Sequence, residues 1–293
     1  MDMAEEQLLA GTGAVVVGGG SGIGLAVAET LAAHGAGVVV NSRSAAAVDR
    51  AADEIRRAGG RALPLAGSAA DEIVAERLVE TCADAYGAID ILVNCAAVPE
   101  PLRSSILDVR HEDWRALLDS HLTTVFNTCR AAAPRMAARG SGSIVNTGSF
   151  AYLGDYGGSG YPAGKGAVTS LTLAIAADLK EHGVRANVVC PGAKTRLSTG
   201  VDYEAHIRDL HRRGLLDEAT MRASLDAPPP EYAAALYLYL ASAAARAVSG
   251  EIFIAAGGFV GRFERPVATP LGYRDHDGQP PWTIADLARM AGR

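Results

Sequence analysis

The chain has 293 residues, 49% hydrophobic and 20% charged, and its 27 Lys and Arg against 33 Asp and Glu leave a net charge of −6. That apolar content excludes an intrinsically disordered chain, and the mild acidity argues against nucleic acid as a partner, since such domains are normally basic. The length matches about two average domains, although one α/β domain often runs to about 250 residues.

The first ten residues, MDMAEEQLLA, are acidic and lack the basic start and apolar run of a secretory leader. No stretch reaches the ~20 apolar residues of a membrane span, so a cytoplasmic protein with no membrane partner is expected. Short β-rich runs follow at Ala14–Val17, Gly37–Asn41, Ala62–Ala66, Ile89–Val93, Ser143–Asn146, Val184–Val189 and Glu251–Ile254. Helical patterns alternate with them near 22–34, 44–59, 70–86, 112–139, 160–182 and 230–242. Strands separated by helices predict an α/β fold: a single Rossmann-like doubly wound domain with a seven-stranded parallel sheet. Its ligand should lie at the carboxyl ends of the strands. Two segments break the rhythm: 193–229, polar and ending in three prolines, and the tail from Phe259 to Arg293. The four cysteines (Cys82, Cys95, Cys129, Cys190) form no CxxC pair and the seven histidines show no ligand spacing, so no metal site is expected.

The first strand runs into Gly18-Gly19-Gly20-Ser21-Gly22-Ile23-Gly24, and a helix pattern follows. Glycines at 18, 22 and 24 suit a tight turn, close backbone approach to a pyrophosphate and close helix–sheet packing. The N–H groups at the helix start then face the negative charge. The second strand ends Asn41-Ser42-Arg43, with no carboxylate until Asp49. An acid there would hold the ribose hydroxyls of NAD, whereas an Arg accommodates the 2′-phosphate of NADP. NADP(H) is therefore the favoured cofactor, with NAD(H) as the alternative.

Tyr161-Pro162-Ala163-Gly164-Lys165 opens the fifth helical pattern. Residues at i and i+4 share a helix face, so the Lys165 ammonium can sit beside the Tyr161 phenol and favour its phenolate. Ser149, just past the fifth strand, brings a hydroxyl to the same sheet edge and can hold a substrate carbonyl. The plainer reading is a capping Ser and an exposed Tyr.

Taken together, Gly18-x-x-x-Gly22-Ile23-Gly24, Asn94-Cys95-Ala96-Ala97, Ser149, Tyr161-x-x-x-Lys165, Asn187 and Pro191-Gly192-x-x-Thr195 strongly resemble the short-chain dehydrogenase/reductase family over about residues 11–258. The resemblance implies that Tyr161 is the catalytic acid/base, that Ser149 orients the substrate oxygen, and that Lys165 binds the nicotinamide ribose and tunes Tyr161. It implies a cofactor site built from Gly18, Gly20, Ser21, Gly22, Ile23, Gly24, Ser42, Arg43, Ser68, Ala69, Asn94, Ala96, Pro191, Gly192 and Thr195, besides Tyr161 and Lys165. It also implies a homotetramer or homodimer. Departures are Val17 where the family has Thr, Cys95 and Ala97 in its Asn-Asn-Ala-Gly loop, and Ser68 in place of an adenine-binding Asp. The largest is His121, standing where the family carries a fourth catalytic residue, an Asn. A structural His and a side chain that joins a proton relay, titrating near ~6.5, are both open at this point.

His121, the Pro-Gly-Ala-Lys-Thr-Arg run at 191–196 and the shape of the tail resemble, more loosely, the branch related to the (3R)-hydroxyacyl-CoA dehydrogenase part of peroxisomal multifunctional β-oxidation enzymes. The expected activity is hydride transfer between a nicotinamide and a small-molecule carbonyl or secondary alcohol, with a 3-oxoacyl/3-hydroxyacyl thioester as one substrate class. An NAD-dependent alcohol or steroid-type dehydrogenase is the alternative, and a non-catalytic dinucleotide-binding sensor or scaffold is the alternative of another class. Segment 193–229 is expected to cover the substrate, and the tail to pack on a neighbouring subunit or border the active site.

Overall fold

The computed structural model describes residues 7–101 and 104–292. Seven parallel strands form where the valine-rich runs lie: β1 (Gly13–Val17), β2 (Gly37–Ser42), β3 (Arg61–Ala66), β4 (Ile91–Asn94), β5 (Gly142–Thr147), β6 (Val184–Gly192) and β7 (Ile252–Ala256). Their spatial order is β3-β2-β1-β4-β5-β6-β7. Helices α1 (Gly22–Ala33), α2 (Ala45–Arg57), α3 (Glu72–Tyr86), α4 (His111–Leu118), α5 (Thr124–Arg139), α6 (Gly160–Asp178), α7 (Val201–Arg212), α8 (Glu218–Leu225) and α9 (Pro230–Ala241) complete the body.

Strand side chains alternate between faces, and here both faces are apolar. Val16, Val38 and Val40 pack under Val27 and Leu31 of α1, Ile55 of α2 and Leu240 of α9. Val15, Val17 and Val39 point the other way, toward Leu78 of α3, Met136 of α5 and Val168 of α6. Each such fully buried side chain contributes about 1.5–3 kcal/mol, so the near-continuous valine runs require helices on both sides. The strand order reverses between β1 and β4, which opens a crevice at their carboxyl ends.

Three features differ from the sequence expectation. The pattern at 112–139 is not one helix: a π-helical segment, Asp119–Thr123, separates α4 from α5, and the Thr124 hydroxyl donates to the Asp119 carbonyl there. Periodicity cannot reveal one wide turn inside an otherwise regular helix. Segment 193–229 holds α7 and α8, joined through Ile207, Leu210 and Leu216 into a small apolar cluster of their own. Finally, the sheet gains an eighth, antiparallel strand, β8 (Phe259–Phe263), paired with β7 so that Ala256 faces Phe259 across Gly257-Gly258. A two-residue Gly-Gly connection is a hairpin signal, but Phe259 and Val260 are exposed and the apolar alternation behind it is weak.

Glu264–Arg293 form a separate compact unit. Within it, Arg274 lies 4.0 Å from the Trp282 ring and 3.2 Å from the Asp286 carboxylate. Thr283 and Asp286 cap α10 (Ile284–Ala291) reciprocally. Among the described residues no helix is long and apolar enough to cross a membrane, and no group of three acidic, His or Cys side chains could hold a metal. Cys82, Cys95, Cys129 and Cys190 are all unpaired thiols.

Candidate active site

The carboxyl ends of the strands open into one cavity of about 2250 Å³. Small-molecule pockets usually measure about 300–1,000 Å³, so a dinucleotide and a second ligand fit together. Its floor is the glycine turn between β1 and α1. Gly18 adopts φ +81°, and a Cβ there would stand 2.5 Å from the Ala96 nitrogen. At Gly24 a Cβ would stand 2.2 Å from the Gly18 carbonyl oxygen, so the helix can begin this close to the strand only with glycine. Ser21 is the N-cap of α1, yet its side chain makes no capping bond; its hydroxyl accepts from Arg196 Nη2 at 2.9 Å. The residues expected to hold a cofactor (Gly18, Gly20, Ser21, Gly22, Ile23, Gly24, Ser42, Arg43, Ser68, Ala69, Ala96, Pro191, Gly192 and Thr195) all line this cavity.

Asn94 does not. It is buried behind the wall, donating to Asn146 Oδ1 at 2.9 Å and accepting from the Thr128 hydroxyl at 2.9 Å. Asn146 donates on to Thr172 at 2.9 Å, so these polar groups tie β4 and β5 to α5 and α6. The Asn94 side chain thus lies behind the crevice, while Cys95, Ala96 and Ala97 line it.

Ser149, Tyr161 and Lys165 line the same cavity. Ser149 leaves β5 at the N-cap of a short 3-10 turn, Phe150–Leu153, where its hydroxyl accepts from the Ala151 N–H at 3.2 Å, and it lies near enough to Tyr161 to favour the phenolate. Lys165 is fully buried, its Nζ donating to the Thr147 carbonyl at 2.8 Å and lying 5.8 Å from the Tyr161 ring centre. Burial pulls its pKa down to about 8. The Thr147 hydroxyl meets the buried Tyr237 hydroxyl at 2.8 Å and the Cys95 thiol at 3.3 Å, which braces the carbonyl that Lys165 uses. The spacing predicts a Tyr161 pKa lowered by Lys165, but the structure gives the opposite direction. Burial raises it, and the nearby Ser149 hydroxyl offsets this only in part. With Lys165 nearly 6 Å from the ring, desolvation of the phenolate outweighs the attraction.

His121 sits in the π segment, 1% exposed, with its ring edge-on to Tyr161 at 4.9 Å. Its Nε2 lies 3.2 Å from the Val98 N–H and 3.1 Å from the Val98 carbonyl, and its buried Nδ1 has no partner. Gly164 makes this approach possible, since a Cβ there would come within 2.9 Å of Nδ1. Burial and the nearby Lys165 charge push the imidazole down to about 3. Its pKa is thus far from the ~6.5 of a free imidazole, and the ring is neutral at neutral pH.

Sequence reasoning missed Glu100. Its carboxylate accepts from the backbone N–H groups of Ser159, Gly160 and Tyr161 at 3.2, 3.3 and 2.5 Å. No local signal marks it, because its partners lie about sixty residues away. On the far wall, Tyr156 and Ser224 share a hydrogen bond of 3.1 Å, linking α8 to the segment before α6.

A glycine cradle facing a Ser, Tyr and Lys at one sheet edge is the geometry of a dinucleotide-dependent oxidoreductase, and the comparisons agree. Residues 12–203 match the model of the short chain dehydrogenase family. The chain belongs to that family. A meso-2,3-butanediol dehydrogenase of Serratia marcescens is 35% identical over 238 residues, covering 80% of this chain and 89% of that protein. Hydroxyacyl-CoA dehydrogenase ChsB1 of Mycobacterium tuberculosis is 34% identical over 268 residues, covering 85% and 78%. The crystal structure of a short chain dehydrogenase from Mycobacterium avium superposes with a TM-score of 0.79 at 30% identity, covering 97% of this chain and 94% of that one. This short-chain dehydrogenase is thus an oxidoreductase of a family that binds NAD(P)(H).

Proposed function

We propose that this enzyme interconverts a carbonyl and a secondary alcohol with NADP(H), using Tyr161 as acid/base, Ser149 to hold the substrate oxygen and Lys165 to position the nicotinamide ribose. The observation that carries this reading is that the three side chains share one cavity with the glycine turn. The bound cofactor supplies or accepts the hydride. Tyr161 moves the proton at the substrate oxygen, and the fold sets distance and angle. The raised Tyr161 pKa keeps the phenol protonated at neutral pH, which suits proton donation to a developing alkoxide during carbonyl reduction.

Cofactor preference rests on the wall formed by residues 17–70, where Arg43 and Arg50 face the cavity and no carboxylate does. A guanidinium–phosphate contact is worth about 1.5–3 kcal/mol, enough for roughly tenfold to hundredfold selection of NADP(H). Among the described residues, the substrate side carries Glu100, Asp119, Asp155, Asp202, Asp217 and Asp226 against Lys165 and Arg196. That balance favours an uncharged reacting end. The cavity volume leaves room for an acyl chain, so a 3-oxoacyl or 3-hydroxyacyl thioester is the second reading, supported by likeness to the hydroxyacyl-CoA dehydrogenase ChsB1 and to a 3-oxoacyl-[acyl-carrier-protein] reductase of Synechocystis. The exposed Phe126 on α5 supports assembly as a homotetramer or homodimer. A panel of neutral ketones, 2-oxo acids and 3-oxoacyl thioesters, assayed with NADPH and NADH, tests the reading. Turnover of neutral carbonyls with NADPH is expected. A preference for NADH or for free 2-oxo acids contradicts it.

A further inference from the structure

We propose that Glu100 is a positioning residue of the reaction, clamping the loop after β4 onto the first turn of α6 and so holding Tyr161 in register with the cavity. The inference rests on the assignment of Tyr161 as the acid/base. It starts from an accounting problem: the first N–H groups of a helix have no intrahelical partner. The N-cap of α6, Ser159, makes no side-chain capping bond. Glu100 takes over from about sixty residues upstream. Its Oε1 accepts from Ser159 and Gly160 at 3.2 and 3.3 Å and from the Ser104 hydroxyl at 3.0 Å, while Oε2 accepts from Tyr161 at 2.5 Å.

The charge matches its place. A helix carries about half a positive charge at its N-terminus, and a carboxylate there is stabilising. The seat is shaped for it as well: Gly158 adopts φ +77°, and a Cβ at that position would stand 2.9 Å from the Glu100 Cδ. Glu100 and Tyr161 both line the cavity. The same loop reaches the other side of Tyr161 through Val98, whose backbone faces His121 Nε2, and the His121 ring lies edge-on to the tyrosine. Tyr161 is therefore held by its backbone from Glu100 and by its ring from His121. Glu100 meets Tyr161 at its backbone N–H and not at the phenol, so it acts through position.

Loss of this clamp frees the second residue of α6, and a displacement of about 1 Å at a reacting group costs on the order of 100-fold in rate. The test compares wild type, Glu100→Ala, Glu100→Gln and Tyr161→Phe for kcat, KM, NADPH affinity by fluorescence, and the primary isotope effect with 4-deuterated NADPH. Glu100→Ala is expected to lower kcat about 10- to 100-fold, to leave NADPH affinity within about twofold, and to raise the isotope effect as hydride transfer becomes limiting. Glu100→Gln keeps one acceptor oxygen and should fall between. It serves as the decisive variant if the alanine protein does not fold. Glu100 variants that bind NADPH fully and turn over like wild type overturn the clamp. So does an activity loss that only follows a lost cofactor-binding fraction, with KM and isotope effect unchanged. Full activity in Tyr161→Phe overturns the underlying assignment instead.

Discussion

Replacing His121 by Asn should flatten the acid limb of the stability curve. The ring is 1% exposed in the π segment, its Nδ1 lacks a partner and Lys165 is close, so its pKa falls to about 3. In the unfolded chain it is near ~6.5. Between those values the unfolded state binds a proton that the folded state refuses, so stability drops as pH falls through that window. At pH 4.5 the gap is about two pH units at 1.36 kcal/mol each, or roughly 2.7 kcal/mol of stability lost to this group. Equilibrium urea unfolding at pH 7 and pH 4.5, for wild type and His121→Asn at equal protein concentration, isolates the effect because the carboxylates cancel. Wild type should lose about 2–3 kcal/mol more than the variant on acidification. Equal losses would mean that His121 is charged or solvated in the fold, and the reasoning would fail. The same neutrality predicts that the variant's pH–rate profile keeps its midpoints near neutrality.

Two further substitutions probe the cofactor cradle. Gly24→Ala drives a Cβ into the Gly18 carbonyl at 2.2 Å, so NADPH affinity should drop more than about tenfold and the melting temperature should fall. An unchanged dissociation constant by calorimetry would show that the strand–helix contact is looser than described. Arg43→Ala should weaken NADPH binding by about 10- to 100-fold and leave NADH within about twofold. Equal loss for both cofactors would remove Arg43 from the 2′-phosphate.

The sheet was legible because its strands are buried on both faces. Val15-Val16-Val17 and Val38-Val39-Val40 have no solvent side, so short apolar runs between amphipathic helices leave few alternatives. The candidate site is legible where its residues follow local spacing: Gly18 to Gly24, and Tyr161 to Lys165. It was illegible where function comes from contacts distant in sequence. Glu100 meets α6 across about sixty residues, and Asn94 turns into the polar ladder behind β4 instead of the crevice. Spacing puts Lys165 on the same helix face as Tyr161, but it carries no information about burial, which decides the direction of the Tyr161 pKa. The same holds for His121, whose position could be read from the sequence and whose charge state could not. The eighth strand was missed for a different reason, since an exposed edge strand need not show an apolar face.

In the proposed mechanism Tyr161 passes the proton, while the surrounding fold positions and desolvates it. Tyr161→Phe removes one hydroxyl from a buried ring and leaves the glycine cradle untouched. Paired measurements of NADPH affinity and single-turnover hydride transfer to a ketone that wild type reduces test the claim directly. NADPH binding is expected within about twofold of wild type and a hydride-transfer rate at least about 100-fold lower, in line with general-acid contributions of about 10²–10⁴. Hydride transfer at the wild-type rate in a variant that binds NADPH normally would contradict it.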